Sequence, residues 1–316
     1  MSSIAHAVVI VSGGDAISPF TTPSQGCGVG QVAGSTDTAL RDALLRAGLA
    51  VFTSPANAGP GPAEHDPGFA GFSDPPAVLP EEMTVNAVGP IDEAGGCLAT
   101  FLAWLSREHG VMSVDLVGHS MGGLFSRAAI RELAADSAAP AVRRLVTIGT
   151  PWQGGFAADY IAGLMPLAAA AGDTGTEQIM TEFATLAAAS SSGASEQITR
   201  SYLCDPGGWN DRQAGVLDSI PVTLIAGDYF RHDGGDPGLW PHDGLVALPS
   251  ALASSVPATV LPNRTLHQFT DVHSIYFADR FGLPWETALT WDPAVLAVVA
   301  AALTDSDLRR RDGGFL

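Results

Sequence analysis

The sequence contains few cysteines, and they follow no recognisable pattern. Cys27, Cys97 and Cys204 lie far apart, and none belongs to a Cys-x-x-Cys pair. Three cysteines are too few for a disulfide framework, and the odd number leaves at least one thiol free. We expect them to be small buried hydrophobic side chains, with one disulfide as the alternative if the protein is exported.

Basic residues are also scarce, with 15 lysines and arginines against 33 aspartates and glutamates, for a net charge of −18. A surface of this sign repels nucleic acid and anionic membranes, so neither is an expected partner. No apolar run reaches the roughly 18 residues that a membrane span needs without glycine, proline or charge. We therefore expect no integral membrane segment.

The N-terminus lacks the basic segment, apolar segment and cleavage site of a secretory signal. Met1-Ser2-Ser3 leads almost directly into the apolar run at 7–11. We expect a cytoplasmic protein as the chain is written, or a secreted one if a signal was removed. The 316 residues, of which 46% are hydrophobic, can bury a large core. They favour a single domain over 1–316, and they leave the oligomeric state open.

Short apolar, β-branched runs alternate with longer amphipathic segments. The predicted strands are 7–11, 49–53, 114–117, 145–148, 222–226 and 258–261, and the predicted helices are 35–47, 91–109, 122–133 and the segment from Pro293 onwards. Continuously apolar strands are buried on both faces, which is typical of parallel sheets covered by helices. The pattern predicts an α/β fold with a mostly parallel central sheet.

Two segments interrupt this alternation. Residues 156–200 are alanine-rich, have helical spacing and contain no strand, so we expect a helical cap or lid inserted in the domain. Residues 55–90 are rich in proline and glycine and include Phe69 and Phe72. A long loop that leaves the carboxyl end of a strand in an α/β sheet is more often functional than passive. We expect it to border an active site.

The hexapeptide Gly118–Gly123, with sequence Gly-His-Ser-Met-Gly-Gly, directly follows the predicted strand 114–117. A G-x-S-x-G turn between a strand and a helix is typical of a nucleophile elbow, which presents the serine hydroxyl at the tip of a sharp turn. Gly118 and Gly122 fit this turn because the residues two before and two after the serine come too close together to carry side chains. Ser120 is the candidate nucleophile, and a glycine-rich turn with a solvated serine is the alternative.

A serine at neutral pH needs a base, usually a histidine that is held by a carboxylate. In a fold with this elbow the chain order is serine, acid, histidine. We favour Asp243 as the acid over Asp228, which ends a predicted strand. For the base we favour His273, in a loop just before a predicted helix, over His267.

An oxyanion in this site needs two backbone donors. One is the N–H of Met121, the residue after the serine, and the other lies in the loop after the first strand, at Gly14 or Asp15. Asp15, Trp152 and Met165 are candidate substrate-binding residues. The alternative is that Trp152, Met165 and Met121 are simply core side chains.

Taken together, these motifs resemble those of the α/β-hydrolases, and within them those of the compact bacterial lipases and esterases. The resemblance rests on Val11–Gly14, Gly118–Gly123, the Gly-Thr-Pro-Trp-Gln-Gly-Gly segment 149–155, and Asp243–Val246 with the later His273. It implies an α/β-hydrolase fold whose sheet lacks the two N-terminal strands of larger relatives.

The chain departs from that group at two places. Ser12-Gly13 stands where the group often has His-Gly, and Trp152 follows Gly-Thr-Pro where a histidine is common. Both departures concern the oxyanion loop and the pocket rather than the three candidate catalytic residues. Some lipases carry a structural calcium ion, but no acidic cluster around His273 indicates one here. We expect neither a metal nor a cofactor.

The resemblance implies a serine ester hydrolase, either a carboxylesterase or a triacylglycerol lipase. Ser120 would attack the acyl carbonyl, His273 would carry the proton, and Asp243 would hold the imidazole. The apolar lid and the two phenylalanines of the 55–90 loop predict a small-molecule or lipid ester with a hydrophobic acyl group. An acyltransferase or thioesterase with the same triad is the alternative, as is a non-catalytic binding protein on a hydrolase scaffold.

Overall fold

The computed structural model of the chain describes residues 4–24, 34–64, 77–136, 139–189 and 194–304. Three residues discussed above, Cys27, Phe69 and Phe72, lie outside these ranges. The expectations for them therefore remain predictions. Cys97 is half-buried and Cys204 is exposed, and both are free thiols.

A parallel sheet of six strands forms the centre of the fold, in the order β2-β1-β5-β6-β7-β8. Two further short strands, β3 and β4, form a separate parallel pair. In chain order the strands are β1 His6–Val11, β2 Val51–Thr53, β3 Ala56–Asn57, β4 Val85–Asn86, β5 Ser113–His119, β6 Ala141–Ile148, β7 Val222–Gly227 and β8 Arg264–Phe269.

Helices cover both faces of the sheet. They are α1 Gly34–Arg46, α2 Ile91–His109, α3 Gly122–Leu133, α4 Phe156–Ile161, α5 Thr174–Ala189, α6 Ala194–Gln197, α7 Arg200–Cys204, α8 Leu248–Ala251, α9 Ile275–Arg280 and α10 Pro293–Thr304. Short 3-10 helices occur at Glu81–Met83, Leu167–Ala170, Asp211–Gln213 and Trp285–Thr287. Among the helices of the described ranges, none is both long and apolar enough to cross a membrane.

The alternation of side chains along β1 shows why its sequence is apolar throughout. Val9 packs into a cluster with α2 and α3, whereas Val8 and Ile10 pack into a second cluster with α1 and α10. Each face of the strand is therefore buried against helices. The predicted α/β class with a mostly parallel sheet is confirmed.

Most predicted helices begin and end where the sequence signals place them. α2 ends at Gly110, whose φ of +70° lies in the left-handed region that glycine adopts without strain. α10 begins after Asp292, whose Oδ1 accepts a hydrogen bond of 2.8 Å from the backbone N–H of Ala294. Pro293 occupies the first helical position.

The predicted last strand at 258–261 is wrong. These residues form a turn and its exit, and the strand that ends the sheet is β8, Arg264–Phe269. β8 lies at the sheet edge, and most of its side chains are exposed, so it lacks the continuous apolar run of the other strands. His267 consequently lies inside the last strand rather than after it.

The two irregular segments fall where the sequence puts them, between elements of the sheet. The first half of 156–200 contains α4 and part of α5, the rest contains α6 and the start of α7, and all of it lies between β6 and β7. The described part of 55–90 contains β3 and β4. Their roles as lid and active-site loop remain predictions.

The contact between α2 and α3 depends on a glycine. A Cβ on Gly95 would lie 2.3 Å from the Cβ of Ala128, whereas a Cβ on the neighbouring Gly96 would meet nothing within 4 Å. Both glycines lie inside α2, so the two positions share one helix and differ in packing.

We expect Gly95→Ala to destabilise the protein by about 1–3 kcal/mol, because the added methyl overpacks the α2–α3 contact. Gly96→Ala is the matched control, and we expect it to stabilise the protein by about 0.5–1 kcal/mol through helix propensity. Urea unfolding of both variants measures the difference. Equal effects at the two positions would contradict the assigned packing.

Candidate active site

Ser120 lies between the end of β5 and the start of α3, in the turn that the sequence predicts. Its φ is +53°, a left-handed conformation that costs a non-glycine residue free energy. The turn is held by backbone hydrogen bonds: Ser120 N–H donates to the Ile148 carbonyl at 2.8 Å, and Gly123 N–H donates to the Ser120 carbonyl at 3.2 Å.

The backbone around this turn is packed too closely for side chains. A Cβ on Gly122 would lie 2.2 Å from the Val11 carbonyl oxygen, and one on Gly118 would lie 2.5 Å from the Gly123 nitrogen. Both glycines are therefore required by sterics, as their places in the hexapeptide predict. Ser120 itself is only 7% exposed, so the turn presents it to a covered site rather than to open solvent.

Asp243 and His273 form a buried pair. Asp243 Oδ2 lies 2.7 Å from His273 Nδ1, while Asp243 Oδ1 accepts hydrogen bonds from the N–H groups of Leu245 and Val246 at 2.9 and 2.7 Å. The backbone N–H of His273 donates to the Asp243 carbonyl at 2.7 Å. These bonds fix the carboxylate and the imidazole relative to each other. His273 Nε2 is buried and has no hydrogen-bond partner in the described part of the chain.

The two alternatives for acid and base do not form such a pair. Asp228 is bound by Arg231, at 2.7 Å from both carboxylate oxygens, and by Gln268. His267 lies in β8, and among the described residues it is not a hydrogen-bond partner of Asp228 or of Asp243. Of the four candidates, the structure brings Asp243 and His273 together.

The loop after β1 lies against Ser120 and Met121. A Cβ on Gly13 would lie 2.6 Å from the Ser120 Cβ, and one on Gly14 would lie 3.1 Å from Met121 Sδ. Gly14 and Met121, the two candidate oxyanion donors, are thus neighbours. Asp15 follows with a φ of +56°, and burial raises the pKa of its carboxyl.

Trp152 and Met165 occupy different surroundings. Trp152 is fully buried, donates from Nε1 to Thr147 Oγ1 at 3.1 Å, and packs its ring against the guanidinium of Arg127. These are the contacts of a core residue, the alternative that the sequence left open. Met165 is buried in an apolar cluster that includes Phe156 of α4 and side chains of α9.

His119 contributes to the site although the sequence analysis assigns it no role. Its Nε2 lies 3.1 Å from the backbone carbonyl of His273, and the centroids of the two rings are 4.8 Å apart. Burial, together with the nearby His273, lowers the pKa of His119 to about 3. The imidazole is therefore neutral, and its Nε2–H donates to His273. The only signal in the sequence is its place beside Ser120.

His242 was also missed, and it connects the turn at Asp243 to α5. Its Nδ1 accepts the N–H of Gly244 at 3.0 Å, so its Nε2–H donates to Thr176 Oγ1 at 3.1 Å. The ring lies among Phe156 and Phe230, and burial lowers the pKa of His242 to about 4. A helix of the 156–200 segment is thereby hydrogen-bonded to the residue beside Asp243.

A third missed group is Asp271, two residues before His273. Burial and the adjacent carboxylate of Asp292 raise the pKa of Asp271 to about 8, with a smaller contribution from Asp228. Asp271 therefore holds a proton at neutral pH, beside the side chain of Asp292 that caps α10. No group of three His, Cys, Asp or Glu side chains within the described ranges is placed to hold a metal ion.

Removing the hydroxyl of Thr176 leaves the buried Nε2–H of His242 without an acceptor. We expect Thr176→Val to destabilise the protein by about 1–3 kcal/mol for this reason. Thr181→Val, at an exposed position on the same helix whose hydroxyl bonds only to carbonyls of that helix, is the control, with an expected change below about 0.5 kcal/mol. The urea concentrations at the midpoints of unfolding measure both changes. A similar loss of stability in the two variants would refute the hydrogen bond between Thr176 and His242.

The raised pKa of Asp271 predicts a pH dependence. The folded state holds this proton up to about pH 8, whereas the unfolded chain releases it near pH 4. The stability contributed by Asp271 is therefore full below about pH 4 and is lost as the pH rises through about 8.

Asp271→Asn removes this titration while keeping a neutral side chain. Between pH 5 and pH 8 the wild type loses the stability that the Asp271 proton contributes, whereas the variant has no such proton to lose. We therefore expect the unfolding free energy of the variant to rise relative to that of the wild type over this range. The difference should change little at higher pH. Asp205→Asn, which removes a charge at an exposed position, is the control. Urea unfolding at pH 5, 7 and 9 measures the effect, and a constant difference would contradict the assigned proton.

One family matches part of the chain. Residues 96–161, from α2 through the turn at Ser120 to α4, match the family described as a PGAP1-like alpha/beta domain. No curated protein is significantly similar to the chain in sequence.

Solved structures are similar over nearly the whole chain. The lipase BlEst2 of Bacillus licheniformis in its mature form has a TM-score of 0.52 at 13% identity, covering 94% of this chain and 91% of the lipase. The product of the gene lin2722 of Listeria innocua has a TM-score of 0.48 at 15% identity, covering 95% and 94%. Lipase 1 of Pelosinus fermentans has a TM-score of 0.46 at 14% identity, covering 94% and 98%.

At these identities the likeness concerns the fold, and the similarity to the Bacillus lipase agrees with the parallel sheet, the turn at Ser120 and the flanking helices described above. The chain has the α/β-hydrolase fold.

Proposed function

We propose that this protein is a serine hydrolase that cleaves carboxylic esters through an acyl-enzyme intermediate, as carboxylesterases and lipases do. The observation that carries the proposal is the buried Asp243–His273 pair, with 2.7 Å between the carboxylate and Nδ1, which lies in the same site as the strained turn at Ser120. A serine, an imidazole and a carboxylate in this chain order are what acyl transfer requires.

In the proposed acylation step, Ser120 Oγ attacks the carbonyl carbon of the ester. His273 Nε2, which has no partner among the described residues, takes the hydroxyl proton. The imidazolium that forms is stabilised by Asp243, whose other oxygen is held by two backbone N–H groups. His273 then passes the proton to the departing alcohol, and the acyl group stays on Ser120.

In the proposed deacylation step, water replaces the alcohol. His273 Nε2 takes a proton from the water, the resulting hydroxide attacks the acyl carbon, and the bond to Ser120 Oγ breaks. The proton returns to Ser120, and the carboxylic acid leaves. Both steps pass through a tetrahedral oxyanion, and Met121 N–H together with Gly14 N–H is the proposed donor pair. The neighbouring positions of Gly14 and Met121 support this assignment.

His119 supports the base from its other side. Its neutral Nε2–H binds the His273 carbonyl, and a protonated His119 would place a second positive charge beside the imidazolium that catalysis requires. The pKa of about 3 avoids that repulsion at neutral pH. We therefore assign His119 as a positioning residue for His273.

We propose that the substrate carries a hydrophobic acyl group and that 156–200 forms a lid. Three exposed large apolar side chains of the described residues, Ile161, Leu164 and Leu186, belong to this segment. Only 7% of Ser120 is exposed, so a substrate would approach its hydroxyl through a recessed site rather than from a flat surface. The hydrogen bond between Thr176 and His242 joins this segment to the turn that carries Asp243.

The test is hydrolysis of p-nitrophenyl esters of increasing acyl length by the wild type and by Ser120→Ala, His273→Ala and His267→Ala. We expect the first two variants to lose about 10⁴-fold or more in kcat/KM, because the triad acts as a unit. His267→Ala, the matched control in β8, should keep a kcat/KM within about twofold of the wild-type value. The acyl length with the highest kcat/KM then separates esterase from lipase.

Circular dichroism and thermal unfolding show whether the inactive variants remain folded. Turnover that survives in Ser120→Ala would refute the serine mechanism. Adding an alcohol or thiol acceptor to the assay addresses acyl transfer: a product ester or thioester formed faster than the free acid would replace the hydrolase with an acyltransferase. The absence of serine-dependent turnover on any ester would favour a binding role.

A further inference from the structure

Arg127 of α3 is a buried cation between two aromatic rings. The carbon at the centre of its guanidinium lies 4.2 Å from the ring centroid of Trp152 and 4.6 Å from that of Trp209. All three side chains are fully buried. Two indole faces attract a cation and stabilise it in a dry environment, so the charge is held in place by its surroundings.

The polar edge of this guanidinium is unpartnered. Among the described residues, Nε, Nη1 and Nη2 of Arg127 have no hydrogen-bond partner, and no carboxylate forms an ion pair with them. Burial lowers the pKa of Arg127 to about 9, so the group stays protonated at neutral pH. A buried charge without a counter-ion or hydrogen bonds costs several kcal/mol, so an arrangement of this kind calls for a further partner.

The ionisable groups nearest to this corner do not supply the missing negative charge. Burial raises the pKa of the Cys204 thiol, so it is neutral at neutral pH. Asp92 accepts the Trp209 Nε1–H at 2.8 Å and pairs with Arg131 at 3.2 Å. Asp92 therefore binds the indole of Trp209 and the guanidinium of Arg131, and it does not pair with Arg127.

The neighbouring segment adds further unpartnered polar atoms. The side-chain Nδ2 of Asn210 donates to the Trp152 carbonyl at 2.9 Å. Gln213 lies one turn later, and its backbone N–H donates to the Asn210 carbonyl at 2.9 Å. Both side chains are buried, and Asn210 Oδ1, Gln213 Oε1 and Gln213 Nε2 have no partner in the described part of the chain. Arg127 thus has three buried nitrogen donors without an acceptor among the described residues, and the segment that follows Trp209 has a fourth at Gln213 Nε2.

We propose that Arg127 binds a small monovalent inorganic anion, of which chloride is the representative, at the edge of its guanidinium. Both indole rings lie against the guanidinium, so the acceptor that its N–H groups need would lie in its plane, at its edge. A single negative charge neutralises the site, and the complete burial of the arginine and both tryptophans favours an anion of one or a few atoms. A bound water can satisfy the remaining amide oxygens of Asn210 and Gln213.

The anion would join α3, the helix that follows Ser120, to residues 209–213. This inference does not depend on the proposed ester hydrolase, because it concerns the charge balance of the core. Its effect is on stability rather than on the reaction.

Thermal unfolding in sodium chloride and in sodium gluconate, both from 1 to 100 mM at matched ionic strength, tests the site. Specific binding should raise the wild-type Tm in chloride relative to gluconate, by about 2 °C for each tenfold rise in chloride above the dissociation constant. Arg127→Met should lose the difference between the two salts. Arg212→Met removes an exposed arginine that also contacts an aromatic ring, and it should keep the difference.

A crystal of the wild-type protein grown in sodium bromide gives a readout that does not need the variant to fold. An anomalous peak at the edge of the Arg127 guanidinium, together with the chloride-dependent Tm, supports the proposal. A peak without any chloride-dependent Tm means an adventitious ion only and overturns it. Ordered water at this place and equal Tm values in the two salts would also overturn it.

Discussion

The site depends on one steric constraint, the close approach of the backbone after β1 to the first turn of α3. The Val11 carbonyl would lie 2.2 Å from a Cβ on Gly122, so only glycine permits this approach. The same approach places Gly13 over Ser120, where a Cβ would lie 2.6 Å from the serine Cβ. The position of the Ser120 side chain thus follows from the packing of two backbone segments. The left-handed φ of Ser120 is the conformational cost of that packing, which the ladder bond to Ile148 helps to offset.

A second constraint is that the groups around Ser120 are ionisable and buried, so each charge must be matched. Asp243 is hydrogen-bonded to His273 and to two backbone N–H groups. Burial lowers the pKa values of His119 and His242 to about 3 and about 4, so both imidazoles are neutral. Neutrality fixes which ring nitrogen carries the proton, and hence which partner each histidine can bind.

The extent to which the sequence predicts this arrangement depends on how local each signal is. The turn at Ser120 is encoded by glycines within three residues of it, and α2 and α10 carry their end signals, Gly110 and Asp292, in place. Chain order limits the acid to Asp228 or Asp243 and the base to His267 or His273, and the choice within each pair rests on the position of each residue relative to the strands and helices. β8 was missed because an edge strand needs no continuous apolar run.

The missed polar groups share a different cause. His119 binds a carbonyl 154 positions away, His242 binds a threonine 66 positions away, and no spacing rule reveals such contacts. Trp152 illustrates the same limit. Its place after Gly-Thr-Pro fits a pocket wall, yet Arg127 of α3 packs against its ring, and Trp152 is fully buried. A side chain can be assigned to a pocket or to a core only when its distant neighbours are known.

Buried charge occurs near the start of α3 and within it, and it is stabilised by two different means. At the start of α3, the charge of Asp243 is balanced by hydrogen-bond donors and by a histidine that can gain a proton, so the charge distribution there can change during a reaction. Within α3, Arg127 is held by aromatic faces that cannot exchange protons, and its charge is fixed. A group that must titrate needs partners that hydrogen-bond to both of its states, whereas a structural charge is better surrounded by rings. This difference separates a site built for proton transfer from one built for stability.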